Sequence, residues 1–221
     1  MITNLVLIYI LQLFIISGPE NPHFKGGERA LAMFVSHNLI YPEYSRQNCL
    51  HGTVNVSFKL TRKGQVFDSQ VSKGYGIDLD DEALRIIRLT SGKWVVPASH
   101  DTTNYLVLPV NFALKLTECE QNPSENFQKA VAAYKAQQSL SFAVFNFYEK
   151  KAKGVYDPRE EGRILILKAQ LGYDEKYINQ LFKHANQKLK QGDPESACDD
   201  YLIIKRLGSD KANKQIEQNC H

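Results

Sequence analysis

The sequence predicts an α+β fold in two parts. A small domain runs helix, strand, strand, helix, strand with a three-stranded antiparallel sheet, and an all-α helical-repeat domain follows it. Three observations carry that prediction. Residues 53–60 and 104–116 alternate apolar and polar side chains with the period of a half-buried strand. Residues 77–94 change to a helical period, and from Ser124 onward the alternation disappears. The 221 residues, 43% of them apolar, suffice for one ordinary domain or two small ones. With 27 basic against 24 acidic residues the net charge is only +3, and no basic run interleaves with aromatics, which argues against a nucleic-acid partner.

At the start, Leu5 to Ile16 form an apolar run interrupted only by Tyr9 and Gln12. As a helix counted from Ile2 it spans about 22 Å, short of the roughly 30 Å of a bilayer core. Residues 1–18 therefore read as a signal peptide or a short, tilted membrane anchor, with a buried N-terminal element as the third reading. Residues 19–118 are expected to form the α+β domain and residues 119–221 the helical one.

Residues 19–25 are polar and carry no helix pattern. After Gly26 and Gly27, the residues Ala30, Met33, Phe34 and Val35 give a helical stripe, which Tyr41-Pro42 stops or redirects. In residues 52–60, Val54, Val56, Phe58 and Leu60 share one face while Thr53, Asn55, Ser57 and Lys59 share the other. TRKG at 61–64 supplies a turn with Gly64 suited to a left-handed position, so residues 65–73 return as the second strand of a hairpin. Leu79, Ala83, Ile86 and Ile87 then mark an amphipathic helix ending near Gly92, and Asp80, Asp81 and Glu82 at its start complement the helix dipole. Trp94 is expected to pack on the sheet with its N–H finding one acceptor. In the last strand Leu106, Leu108, Val110, Phe112 and Leu114 point to the core.

In the tail, Phe127, Ala130, Val131 and Tyr134 form one helical face, and Tyr177, Leu181, Ala185 and Leu189 another. A further helix opens at Asp193-Pro194, closes at Leu207-Gly208, and turns Ala197, Tyr201 and Ile204 inward. RILILKA at 163–169 has the composition of a short strand and is assigned helical because its neighbours are.

The four cysteines avoid any close C-x-x-C spacing, which argues against zinc and for two disulfides in an exported chain. Cys198 and Cys220 face each other in a helix hairpin turning at Gly208-Ser209. Cys49 precedes the first strand and Cys119 follows the last, so they meet if those strands are adjacent and antiparallel, in the sheet order second, first, third. Under a chain-entropy treatment these bridges contribute roughly 3 and 4.5 kcal/mol respectively.

No catalytic or cofactor pattern is found. His23, His37, His51, His100, His184 and His221 form no recognisable metal motif, the glycine pair at 26–27 lacks the K-[ST] ending of a phosphate loop, and no serine sits in a G-x-S-x-G setting. The expectation is a binding protein without enzyme activity and without a cofactor.

One residue breaks the rhythm of the last strand. Pro109 has no backbone N–H to give a ladder, so its strand belongs at an edge of the sheet, and a bare edge invites another chain. The marks Tyr41-Pro42, Gly52-x-Val54-x-Val56-x-Phe58, Gly64 with Val66, the helix containing Ala83, Trp94 with Pro97, and Pro109 with Phe112 run in order over residues 26–115. This stretch resembles the TonB C-terminal domain family of periplasmic energy transducers in Gram-negative bacteria. The tail, especially residues 189–212, is similar to a degenerate tetratricopeptide-type helix hairpin.

The resemblance implies that the last strand pairs with an extended segment of an outer-membrane TonB-dependent receptor. The partner-binding residues would be Asn104, Tyr105, Leu106, Val107, Leu108, Pro109, Val110 and Asn111. Pro109 then limits the register of the guest, or it simply discourages aggregation of the bare edge. Two features depart from a full transducer: the apolar N-terminus offers no buried polar residue for a motor contact, and the spacer of about seven residues reaches only about 25 Å. The expected protein is exported and periplasmic, with a possible inner-membrane tether and a second partner on the helical repeats. The alternative is a periplasmic scaffold without a role in uptake.

Overall fold

A computed structural model of the chain describes residues 21–114 and 123–220, with side chains from 127 in the second segment. The signal or anchor reading of residues 1–18, and the pairing expected for Cys119, lie outside the described residues.

The first part has the expected α+β architecture. Strand β1 (His23–Phe24) leads into helix α1 (Gly27–Asn38) and the short helix α2 (Glu43–Gln47). Strands β2 (Gly52–Leu60) and β3 (Val66–Lys73) form a hairpin, followed by α3 (Asp78–Leu89), β4 (Trp94–Val95) and β5 (Leu106–Phe112). The three-stranded antiparallel sheet runs β3-β2-β5, the order second, first, third expected of it. Strict alternation puts one face of β2 in the core: Val54, Val56, Phe58 and Leu60 are all at most 1% exposed, on the face that packs against α3. Leu79, Ala83, Ile86 and Ile87 of α3 are fully buried, as their 3.6-residue spacing requires.

Gly64 takes the left-handed turn conformation at φ 75°, and any Cβ there would collide with the Trp94 carbonyl. Trp94 is buried, its ring edge-on to Phe24 at 5.8 Å, and its indole N–H donates to Thr90 Oγ1 at 2.8 Å.

The structure departs from the sequence reading in several places. The polar stretch before residue 26 contains β1, which pairs antiparallel with β4 so that Phe24 lies opposite Trp94. Met33 is 71% exposed, and Leu31 packs on the core together with Ala30, Phe34 and Val35. Glu82 does more than complement the helix dipole. It is buried, accepts the Ile40 N–H at 2.7 Å, and pairs with the buried Arg85, whose Nε lies 2.7 Å from Oε2.

The second part is helical. Helix α4 (Pro123–Ala152) runs for 30 residues and is followed by α5 (Glu161–Gln170), α6 (Glu175–Lys190), α7 (Pro194–Arg206) and α8 (Asn213–Asn219). RILILKA lies within α5. Asp174 and Asp193 cap α6 and α7 by accepting the backbone N–H of Tyr177 and Ser196, the expected role of an N-cap aspartate. The second core gathers Val144, Ile178, Ala185, Ala197, Tyr201, Ile204 and Leu207. Cys198 and Cys220 are joined, with Cα atoms 5.6 Å apart, across the turn at Gly208. Cys49 is also disulfide-bonded.

The face of Phe127, Ala130, Val131 and Tyr134 forms as expected but packs on the first core, while later residues of α4 pack on the second. The two parts are further tied through Arg85. Its Nη1 donates to Gln191 Oε1 at 2.9 Å and lies 3.4 Å from Asp193 Oδ2, and its Nη2 donates to the Asn38 carbonyl. One side chain thus joins the end of α1, the body of α3 and the α6–α7 turn.

Removing one member of a buried ion pair strands the other without compensation. Glu82→Ala is therefore expected to lower the unfolding free energy by about 3–5 kcal/mol in urea denaturation. Asp200 makes a second, pH-dependent case. Burial pushes its carboxyl up to about 6, outweighing the Lys188 ammonium, whose Nζ lies 2.7 Å from Oδ2. The stability Asp200 contributes is complete below its ordinary 3.8 and lost as pH rises through about 6. Relative to Asp200→Asn, the parent's denaturant midpoint is expected to fall across that window.

Candidate functional site

The free side of β5 is the candidate site. In an antiparallel ladder, opposed residues alternate between pairs that exchange both backbone hydrogen bonds and pairs that exchange none. The β2–β5 register is unbroken from Phe58 opposite Leu106 to Gly52 opposite Phe112, and it sets Pro109 opposite Asn55. Pro109 has no N–H to exchange, so its pair must be of the second kind. The phase of the whole ladder follows. Leu106, Leu108, Val110 and Phe112 direct their backbone groups to β2, whereas Val107, Pro109 and Asn111 direct theirs away from it.

No described strand lies on that outer side. The edge therefore presents three carbonyls, at 107, 109 and 111, and two N–H donors, at 107 and 111, with a gap between the donors. At about 3.4 Å per residue the donors stand roughly 14 Å apart.

The side chains sort along the other axis. Val110 and Phe112 are buried against the sheet core, with Phe112 edge-on to Tyr41 at 5.8 Å, and Leu106 and Leu108 pack beside them. Val107 is 57% exposed, and Pro109 and Asn111 share its solvent face. Thr53 Oγ1 lies 3.3 Å from Asn111 Oδ1, fixing one end of the strand to β2.

The other end is pinned through side chains. Tyr105 donates its hydroxyl to Asp68 Oδ2 at 2.6 Å, Lys59 Nζ donates to the same oxygen at 2.7 Å, and the ammonium sits 4.3 Å from the Tyr105 ring centroid. Both Asp68 partners hold its carboxyl below the usual range, Lys59 more than Tyr105. Asp68 itself adopts φ 49° where β3 departs from regular register. Asn104 lies in the preceding turn, donating its N–H to the Asp101 carbonyl at 3.1 Å. Of the eight residues expected to bind a partner, 106–111 lie on β5, while 104 and 105 lead into it.

The sequence reading missed the Lys59–Asp68–Tyr105 cluster, because its members lie on three separate segments. Among the described residues, no cluster of three or more His, Cys, Asp or Glu is arranged to hold a metal ion, and no helix is long and apolar enough to cross a membrane.

Residues 37–114 match the family described as Gram-negative bacterial TonB protein C-terminal. No curated protein and no solved structure matches the chain. The family match ends two residues beyond β5, so the edge strand lies wholly within it.

The two faces of β5 should differ sharply on truncation. Val110→Ala is expected to destabilise by about 1–2 kcal/mol through lost core volume, whereas Val107→Ala stays within about 0.5 kcal/mol. Chemical denaturation of both variants measures the contrast.

Proposed function

We propose that this chain is a periplasmic, TonB-like binding protein whose β5 edge takes up an extended peptide segment of an outer-membrane receptor as a fourth strand. It would thereby take part in TonB-dependent transport across the outer membrane. The observation that supports this most is the outward row of three acceptors and two donors on an edge strand with no described strand beside it. Backbone pairing of that kind holds an extended segment of nearly any sequence, while exposed side chains such as Val107 and Tyr105 adjust the choice. The family match over residues 37–114 supports an envelope location and a partner in the outer membrane.

On this reading Pro109 sets the register. A guest strand loses nothing if it places no acceptor opposite the missing donor. The helical part, which we read as tetratricopeptide-like, supplies a second docking surface, and the chain acts by binding, without enzyme activity or cofactor.

A photo-crosslinker placed at position 107 or 111 in cells is expected to capture an outer-membrane receptor through an extended segment. Recovery of only soluble or inner-membrane proteins would instead favour a periplasmic scaffold. A second test uses the donor count. Asn111→Pro removes one of the two outward N–H groups and is expected to weaken peptide binding by about 0.5–1.5 kcal/mol, measured by calorimetry.

A further inference from the structure

A cleft of about 430 Å³ opens between the two cores, within the size range of small-ligand sites. No residue of β5 lines it, so it stands or falls apart from strand pairing at the edge. Its walls come from α2, the start of α3, α4, α6 and α7.

Five carboxylates reach this cleft, Glu43, Asp78, Asp81, Glu82 and Asp200, against one lysine, Lys188. Three are answered within the chain: Glu43 by Arg46, Glu82 by Arg85 and Asp200 by Lys188. Asp78 and Asp81 have no ion-pair partner among the described residues. Asp78 is partly buried, and its oxygens accept from neutral groups: the Ser45 backbone N–H at 3.2 Å, the Ser45 hydroxyl and the Leu79 backbone N–H. Its charge is hydrogen-bonded but not neutralised.

The remaining walls mix aliphatic and polar side chains, His184 among them, with two pairs of tyrosines. Tyr44 and Tyr134 pair with ring centroids 4.8 Å apart, and Tyr173 and Tyr177 with centroids 5.0 Å apart. After burial, which is the larger cause, the negative charge of Asp78 pushes the phenols of Tyr44 and Tyr134 up. That marks a field hostile to anions. The helix N-terminus that would otherwise attract an anion, that of α3, already carries Asp78. Aromatic faces beside an uncompensated carboxylate suit an organic cation, which gains both a charge-assisted hydrogen bond and a cation–π contact.

We propose that the cleft binds an organic cation bearing a primary ammonium or guanidinium group, with Asp78 and Asp81 supplying the counter-charge and the paired tyrosines the walls. A free amine and a basic side chain of a partner protein both carry such a group, and the probes separate these sources.

Calorimetric titration of the full chain uses cadaverine as the free diamine, Nα-acetyl-lysine amide and Nα-acetyl-arginine amide as capped side chains, and inorganic phosphate as the anion. At least one cation is expected to bind saturably, and both Asp78→Asn and Asp81→Asn to weaken it roughly tenfold, the worth of a hydrogen bond between charged groups. Asp81 lines the cleft, is exposed as a residue and belongs to no ion pair among the described residues, so its variant is expected to keep the parent's thermal melt and isolate binding from folding. Binding of cadaverine alone assigns a free amine, and binding of a capped residue assigns a side chain. The proposal is overturned by no saturable cation binding at millimolar concentration, by binding that Asp81→Asn leaves unchanged, or by preference for phosphate. Receptor crosslinking at position 107 would be unaffected by any of these results.

Discussion

The ladder between β2 and β5 sets the phase of everything around it. β2 is committed on three sides: one neighbour along each edge and the apolar core beneath Val54, Val56, Phe58 and Leu60. A slip of one residue would turn that whole face to water, so the register is strongly held. Once it is held, the absent N–H of Pro109 decides which backbone groups of β5 look inward and which look out. The same register puts Val110 and Phe112 in the core and leaves Val107 in solvent.

Much of this was legible because it is local. Period-two alternation in residues 53–60, the helical spacing of Leu79 through Ile87 and the proline at 109 each report a constraint acting within one segment. The edge position of β5 followed from Pro109 alone, whereas the outward phase of 107 and 111 needed the observed register with Asn55. Other features were not legible, for identifiable reasons. β1 is two residues long, too short to show any period. Met33 and Leu31 differ by little in apolar character, so composition alone does not tell which of them faces the core on α1. Glu82 and Arg85 look like surface charges in a list of residues; only the close approach of α1 and α3 buries them. The cleft draws its residues from five helices, and no spacing rule connects Asp78 with Tyr177.

Arg85 shows how the two parts of the chain are held in one arrangement. A charge that cannot be hydrated must find fixed partners, and here they come from the α1 end, from α3 and from the α6–α7 turn. Directed hydrogen bonds of this kind define an orientation that apolar contacts alone would leave loose. Of the elements that wall the cleft, α3 and α6 are tied to each other by this residue, which itself lies outside the cleft.

Helix α4 gives the molecule a common beam. At 30 residues it is about 45 Å long, with Tyr134 set against one core and Val144 inside the other. With no proline or glycine between the two cores, the helix can curve only gently and has no site for a sharp kink. The spacing between the two cores is thus set by one uninterrupted element, so that a displacement of either core carries the other with it and is not absorbed in slack.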